Sequence, residues 1–207
     1  MFLRALAIPA LALVLGACTL DIDQAFPETP APVPYVAKRD GGHAIPGIPP
    51  EKFNPAFQRT LVPFRSDEPP GTIVIDTAAR HLYLVQDDRS ALRYGISVGR
   101  EGFEWSGEAV VSHKRTWPNW TPPPEMIRRD PSLARWAEGR PGGPGNPLGA
   151  RAIYLSQNGR DTGYRIHGTP EWWSIGRAAS SGCIRMVNQD VIDLFDRVER
   201  GAKVIVR

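Results

Sequence analysis

A chain of 207 residues has room for one domain of ordinary size with appendages, and a hydrophobic content of 42% is enough to form a core. The formal charge of +3 is spread along the sequence with no basic cluster interleaved with aromatics, which argues against nucleic acid as a partner. The 21 prolines are many and unevenly placed, so they divide the chain into stretches of different kind.

Residues 1–18, MFLRALAIPALALVLGAC, read as a targeting segment outside the fold: Arg4 supplies the positive start and residues 5–15 are almost wholly apolar. That run is too short to span a bilayer as a permanent helix. It ends in Leu15-Gly16-Ala17-Cys18, which resembles a bacterial lipobox, so the expected processing is cleavage before Cys18 and lipid attachment to its sulfur. An ordinary secretory signal with an incidental cysteine is the other reading. Thr19 follows, not Asp, and by resemblance to lipoprotein sorting this favours a periplasmic protein anchored at the outer membrane.

Residues 19–68 are rich in proline and poor in periodicity, a composition that predicts an extended tether. The aromatic Tyr35, Phe53, Phe57 and Phe64 leave room for part of it to pack on a domain that runs over 69–207. From Gly71 the pattern changes. Residues 72–76 and 81–86 are β-branched or alternating runs that predict a hairpin, and residues 92–99 and 107–114 predict two more strands. Further strands are expected at 151–156, 164–168 and 203–206. Between the last two, Val191, Leu194, Phe195 and Val198 share one face of a helix, with Asn188 expected as its N-cap and Gly201 closing its end. Many strands with one late helix predict a mainly β domain.

Residues 116–146 fit no simple element. The stretch combines prolines with Trp117, Trp120 and Trp136, and a connection this long inside a domain is usually functional or disordered. Tryptophans bury well, which favours an ordered insertion. A rigid surface loop is the plainer reading. His43, His81 and His113 are scattered without ligand spacing, so no metal site is expected, and no glycine-rich loop suited to a phosphate cofactor precedes a helix.

Chemistry concentrates in residues 167–188, HGTPEWWSIGRAASSGCIRMVN. A thiol is a useful nucleophile only as thiolate, so it needs a base or a positive charge nearby. His167 offers the base and Arg185 the charge, while backbone N–H groups of Gly182 and Cys183 are candidates to hold an oxyanion. If Cys18 carries lipid, Cys183 has no disulfide partner in an oxidising compartment, and catalysis is a reason for it to be there.

The string resembles the signature of the L,D-transpeptidase catalytic domain (the YkuD-like family): histidine-glycine, a spacer of this length, [S/T]-x-G-C, then Arg or Asn two residues on. Ser180, Gly182, Cys183 and Arg185 fill those places, and Ser181 stands where many members have His. The resemblance covers about residues 70–207 and implies a β-sandwich of mixed sheets, with the proline- and tryptophan-rich insertion as a cap over the cleft. It also implies a substrate, the peptide stems of bacterial peptidoglycan. Cys183 would attack the carbonyl of the third residue of a donor tetrapeptide, release D-Ala, and pass the acyl group to an amine to give a 3→3 cross-link. By family analogy the Gly168 carbonyl orients His167. Arg185 and Ser181 are expected at the substrate, with support of the loop as the other reading of Arg185. An acceptor protein or water would turn the same intermediate to protein anchoring or stem trimming. A non-catalytic wall-binding lipoprotein is the third reading, and the intact His167 and Cys183 pair disfavours it.

Overall fold

The computed structural model describes residues 35–100 and 105–207. The expected targeting segment, Cys18 with its lipid, and the first part of the expected tether lie outside the described residues. Among the described residues, thirteen strands and two α-helices follow in chain order: β1 (Lys38–Asp40), β2 (His43–Ile45), β3 (Thr60–Pro63), β4 (Ile73–Asp76), β5 (His81–Val85), β6 (Ser90–Gly95), β7 (Val98–Gly99), β8 (Gly107–Thr116), α1 (Pro124–Arg129), β9 (Arg151–Gln157), β10 (Arg160–Thr169), β11 (Ala178–Ser180), β12 (Ile184–Val187), α2 (Asn188–Arg197) and β13 (Lys203–Val206).

Nine strands form one mixed sheet in the order β12-β10-β9-β8-β13-β4-β5-β6-β3, and β1-β2 and β7-β11 form two small ribbons. The sheet curls on itself, because residues from both of its halves share one core. Ile73, Ile75, Leu82 and Leu84 meet Ile153, Leu155, Ile166 and Met186 there, together with Val191, Leu194 and Val198 of α2. The curl brings the chain beyond β6 against β12: Ser97 and Arg185 exchange backbone hydrogen bonds of 2.9 Å. Period-2 patterning explains the central strands. In β5, Leu82 and Leu84 face the core while His81 and Tyr83 do not.

The mainly β domain with its late helix is thus as expected, with two differences at the helix. Asn188 is the first residue of α2 and does not cap it; its side-chain oxygen accepts the Ala150 N–H at 2.9 Å. Gly201 does not close the helix, which ends at Arg197 with Val198 as C-cap; it turns the chain into β13, its N–H donating to the Val111 carbonyl.

The tether expected over 19–68 does not hold for its described part. Residues 35–63 are a strap laid on the domain. β3 pairs with β6, and Tyr35, Ile48 and Phe53 bury against Ile175 and Val187, with Phe57 and Trp172 packed at the margin. The Tyr35 hydroxyl donates to Asp190 at 3.0 Å and accepts the Arg59 N–H at 2.8 Å. Scattered aromatics, each finding its own hollow, do this without any sequence period.

The insertion is ordered as its tryptophans suggest. Trp120 and Arg140 exchange backbone hydrogen bonds of 2.9 and 2.7 Å, and the buried Asn146 amide donates to the carbonyls of Pro118, Arg140 and Pro141. Trp117 donates to Asp40 at 2.8 Å, and Asp40 also takes a two-pronged ion pair from Arg151. These bonds tie the insertion to the β1-β2 ribbon; none of them reaches His167 or Cys183.

Candidate active site

Strand pairing brings the two motif ends together. β10 and β12 run parallel, so residues 170–183 must cross from the end of one to the start of the other. In this ladder His167 stands opposite Arg185 and Ile166 opposite Ile184, which sets Cys183 level with Arg165. The spacing of sixteen positions in sequence is therefore one strand step in space.

The histidine is fixed by packed backbone. His167 is buried, and its Nδ1 lies 2.6 Å from the Gly168 carbonyl. A carbonyl only accepts, so Nδ1 carries the proton and Nε2 is left as the basic nitrogen. The carbonyl is fixed in turn. A side chain at Gly168 would run into the Asn188 oxygen, and would lie 3.0 Å from Val191 Cγ1 and 3.1 Å from the Ala150 nitrogen. A side chain at Gly149, which adopts φ +61°, would run into the same Asn188 oxygen and into the Gly168 backbone. Asn188 thus locks two glycines and one buried N–H around the carbonyl that orients the base. Its place directly after the motif was the one available signal, and the capping reading hid it.

The cysteine is fixed by a hydrogen-bonded turn. Gly182 adopts φ +115°, a conformation that side chains rarely take. The buried Ser180 hydroxyl donates to the Cys183 carbonyl at 2.6 Å and accepts the Gly182 N–H at 3.1 Å. The Gly182 N–H is therefore already engaged, so of the two expected oxyanion donors Cys183 N–H is the candidate left. Ser181 stands half-buried beside the thiol. A cleft of about 260 Å³ is lined by Val98, Trp105, Ala178, Gly182 and Ile184; Cys183 and His167 are not in its lining.

Arg185 does not reach out for a ligand in this arrangement. Its guanidinium pairs with Glu171 at 3.1 Å, which braces the crossover against β12. Sequence reading missed Glu171 and also Arg165. The signal for Arg165 was strand alternation, since it lies two residues before His167 in the same strand.

Electrostatics leave the pair neutral at rest. Burial pulls the His167 pKa down to about 4 against the support of the Gly168 carbonyl, and the Arg185 and Arg165 charges push the same way. Burial raises the Cys183 thiol above its ordinary value, opposed by the Arg165 N–H and by the Arg165 and Arg185 guanidiniums. A neutral imidazole beside a neutral thiol can take the thiol proton as attack begins, because an approaching electrophile removes the cost of the buried thiolate. Cys183 is a free thiol. Among the described residues no cluster of His, Cys, Asp and Glu suited to a metal ion occurs.

Comparisons with known proteins identify the family. A family model described as the L,D-transpeptidase catalytic domain (YkuD) matches residues 70–206. A probable L,D-transpeptidase ErfK/SrfK of Escherichia coli is 37% identical over 139 residues, covering 64% of this chain and 42% of that protein. The putative L,D-transpeptidase YkuD of Bacillus licheniformis is 33% identical over 141 residues, covering 68% of this chain and 67% of that one. The chain spans less than half the length of the Escherichia coli relatives it matches. A crystal structure from Brucella melitensis is 53% identical at a TM-score of 0.52, covering 74% of this chain and 96% of that one. It is described as a probable carnitine operon oxidoreductase, a description that belongs to that protein. With the family model spanning both His167 and Cys183, the chain belongs to the L,D-transpeptidase catalytic domain (YkuD) family.

Proposed function

We propose that this protein is a peptidoglycan L,D-transpeptidase with Cys183 as nucleophile and His167 as general base. The observation that supports it most is the pairing of a free thiol with a buried, neutral imidazole one strand away, whose Nδ1–H is spent on the Gly168 carbonyl. His167 Nε2 takes the thiol proton as sulfur attacks the carbonyl of the third residue of a donor tetrapeptide stem. The Cys183 N–H stabilises the oxyanion, the C–N bond breaks, and the imidazolium returns its proton to the departing D-Ala amine. The thioester then meets an amine of a second stem, His167 accepts the amine proton, and a 3→3 cross-link forms with the thiol restored.

The same acyl-enzyme serves protein anchoring or stem trimming if the acceptor is a protein amine or water. Lipid attachment at Cys18 rests on the lipobox-like residues 15–18 and the outer membrane on Thr19, and such an anchor would hold the catalytic domain in the periplasm beside its polymer. Muropeptide analysis of cells with and without the gene tests the reading. Loss of 3→3 cross-links without the gene supports it; loss only of attached protein or of free tripeptides moves the acceptor, and an unchanged profile rejects it.

A further inference from the structure

Phe57 stands where the strap, the sheet and the crossover meet. It ends a short turn, Pro55–Phe57, on the strap, which precedes the residues 70–206 matched by the family model. Its backbone closes on Gly95 of β6 and its ring edge on Gly176 of the crossover, so a side chain at either glycine would run into it. Gly176, at φ +83°, donates its N–H to the Ile96 carbonyl at 2.9 Å. From there the two segments run on as partners: the Val98 N–H donates to the Arg177 carbonyl at 3.2 Å and the Arg100 N–H to the Ser180 carbonyl at 3.1 Å. Ser180 then holds the Cys183 turn through its hydroxyl. The strap itself is tied to β5 and α2: His81 Nε2 donates to the Ala56 carbonyl at 2.9 Å, Arg59 pairs with Asp193 at 2.7 Å, and Tyr35 bonds Asp190.

We propose that Phe57 is a positioning residue for Cys183, and that the docked strap clamps the crossover against residues 95–100 so that the thiol is held within reach of His167. The inference rests on the acyl-transfer reading of Cys183. Phe57 acts through Gly176, β11 and Ser180 and needs no contact with the reacting atoms. A shift of about 1 Å in a reacting group, passed on from a distant change, costs about a hundredfold in rate. The Cys183 turn is open to such a shift, because hydrogen bonds to a single hydroxyl fix it. The rate of attack by the thiol then depends on a segment that lies outside the family domain.

The test follows thioester formation on Cys183 at saturating donor tetrapeptide by mass spectrometry, as a limiting rate per folded molecule. Phe57→Ala should lower that rate by about ten- to a hundredfold. Phe57→Leu, which keeps an apolar side chain against Gly176, should retain part of it. Tyr35→Phe removes the hydroxyl that ties the strap to Asp190 and leaves Phe57 in place, so it should show a smaller fall of the same kind. Val204→Ala, a truncation in the main core on β13, should lower stability and keep the wild-type rate per folded molecule. Amide exchange gives a second readout: in Phe57→Ala the Val98, Arg100 and Gly176 N–H groups should exchange faster, while those of β9 keep their protection. An unchanged limiting rate in Phe57→Ala, or in Tyr35→Phe should the first not fold, overturns the assignment, and so does an equal fall in Val204→Ala. No thioester on folded wild type whose Cys183 still reacts with a small thiol reagent sinks the acyl-transfer reading and this inference with it.

Discussion

The two walls of the site are built by different means. The His167 wall is packed backbone: Gly149, Gly168, Ala150 and Asn188 fit with no room for an added methyl. The Cys183 wall is a short turn held by one hydroxyl, with Ser180 bonding both the Gly182 N–H and the Cys183 carbonyl. Packing fixes the proposed base in one orientation. Hydrogen bonds fix the turn that carries the proposed nucleophile. Changes on the first wall should therefore harm the fold as well as the chemistry, and changes on the second should harm mainly the chemistry.

The largest expected effect is on the residue both walls serve. His167→Gln should lower Cys183 acylation by about 10²- to 10⁴-fold while the melting temperature stays within a few degrees of wild type. Raising the pH should restore part of the rate, since hydroxide then supplies the thiolate. Near-wild-type acylation per folded molecule at neutral pH would remove His167 from the role of base.

Gly168→Ala comes next. The methyl has to displace Asn188 or Val191, and overpacking of this kind costs about 1–3 kcal/mol or more. Both the unfolding midpoint and the acylation rate should drop. Asn188→Ala should cost about 1–3 kcal/mol, because the buried Ala150 N–H loses its acceptor. If either variant kept wild-type stability in denaturant titrations, the packed-wall description would be wrong.

Ser180→Ala should do less to the fold, about 1 kcal/mol, while slowing acylation. A stability loss as large as that of Asn188→Ala, with unchanged acylation, would erase the contrast between the walls.

The smallest signal is a slope. Burial raises the Asp190 carboxyl from its ordinary 3.8 to about 7, against the nearby Arg59 charge and the Tyr35 hydrogen bond. Between those values the folded protein binds one more proton at Asp190 than the unfolded chain, so this group's stability falls as pH rises. His167 acts with the opposite sign. Its folded pKa of about 4 lies below the ordinary 6.5, the unfolded chain binds the extra proton between them, and stability rises with pH. The two nearly cancel from about pH 4.5 to 6.5 in the wild type. Asp190→Asn should expose the His167 rise as a steeper climb in stability over that range. Identical pH profiles for the two proteins would contradict the Asp190 assignment, and a variant profile without the climb would contradict the His167 one.

Where a feature rests on local patterning, the sequence shows it. The central strands announce themselves by alternation, α2 by its apolar face, and His167 with Cys183 by a compact motif. Features made by long-range packing are hidden. Tyr35 buries against Ile175 and Val187 and bonds Asp190 of α2, residues that no sequence period connects to it, so a proline-rich composition read as tether turns out to be strap. Asn188 satisfies every local rule for a helix cap and is used otherwise, because Ala150 offers it a buried N–H. Arg185 and Arg165 look alike as free charges in the sequence, and only the fold shows each already paired, with Glu171 and Asp161.

The central claim is that sulfur of Cys183 carries the acyl group. Incubating the folded domain with a donor tetrapeptide, quenching in acid and locating the adduct by mass spectrometry tests it directly. The account predicts one tripeptide acyl group per protein, mapped to Cys183, released by an added amine, and missing from Cys183→Ala. An adduct that persists in Cys183→Ala, or wild-type turnover of the donor through any other residue, would contradict it.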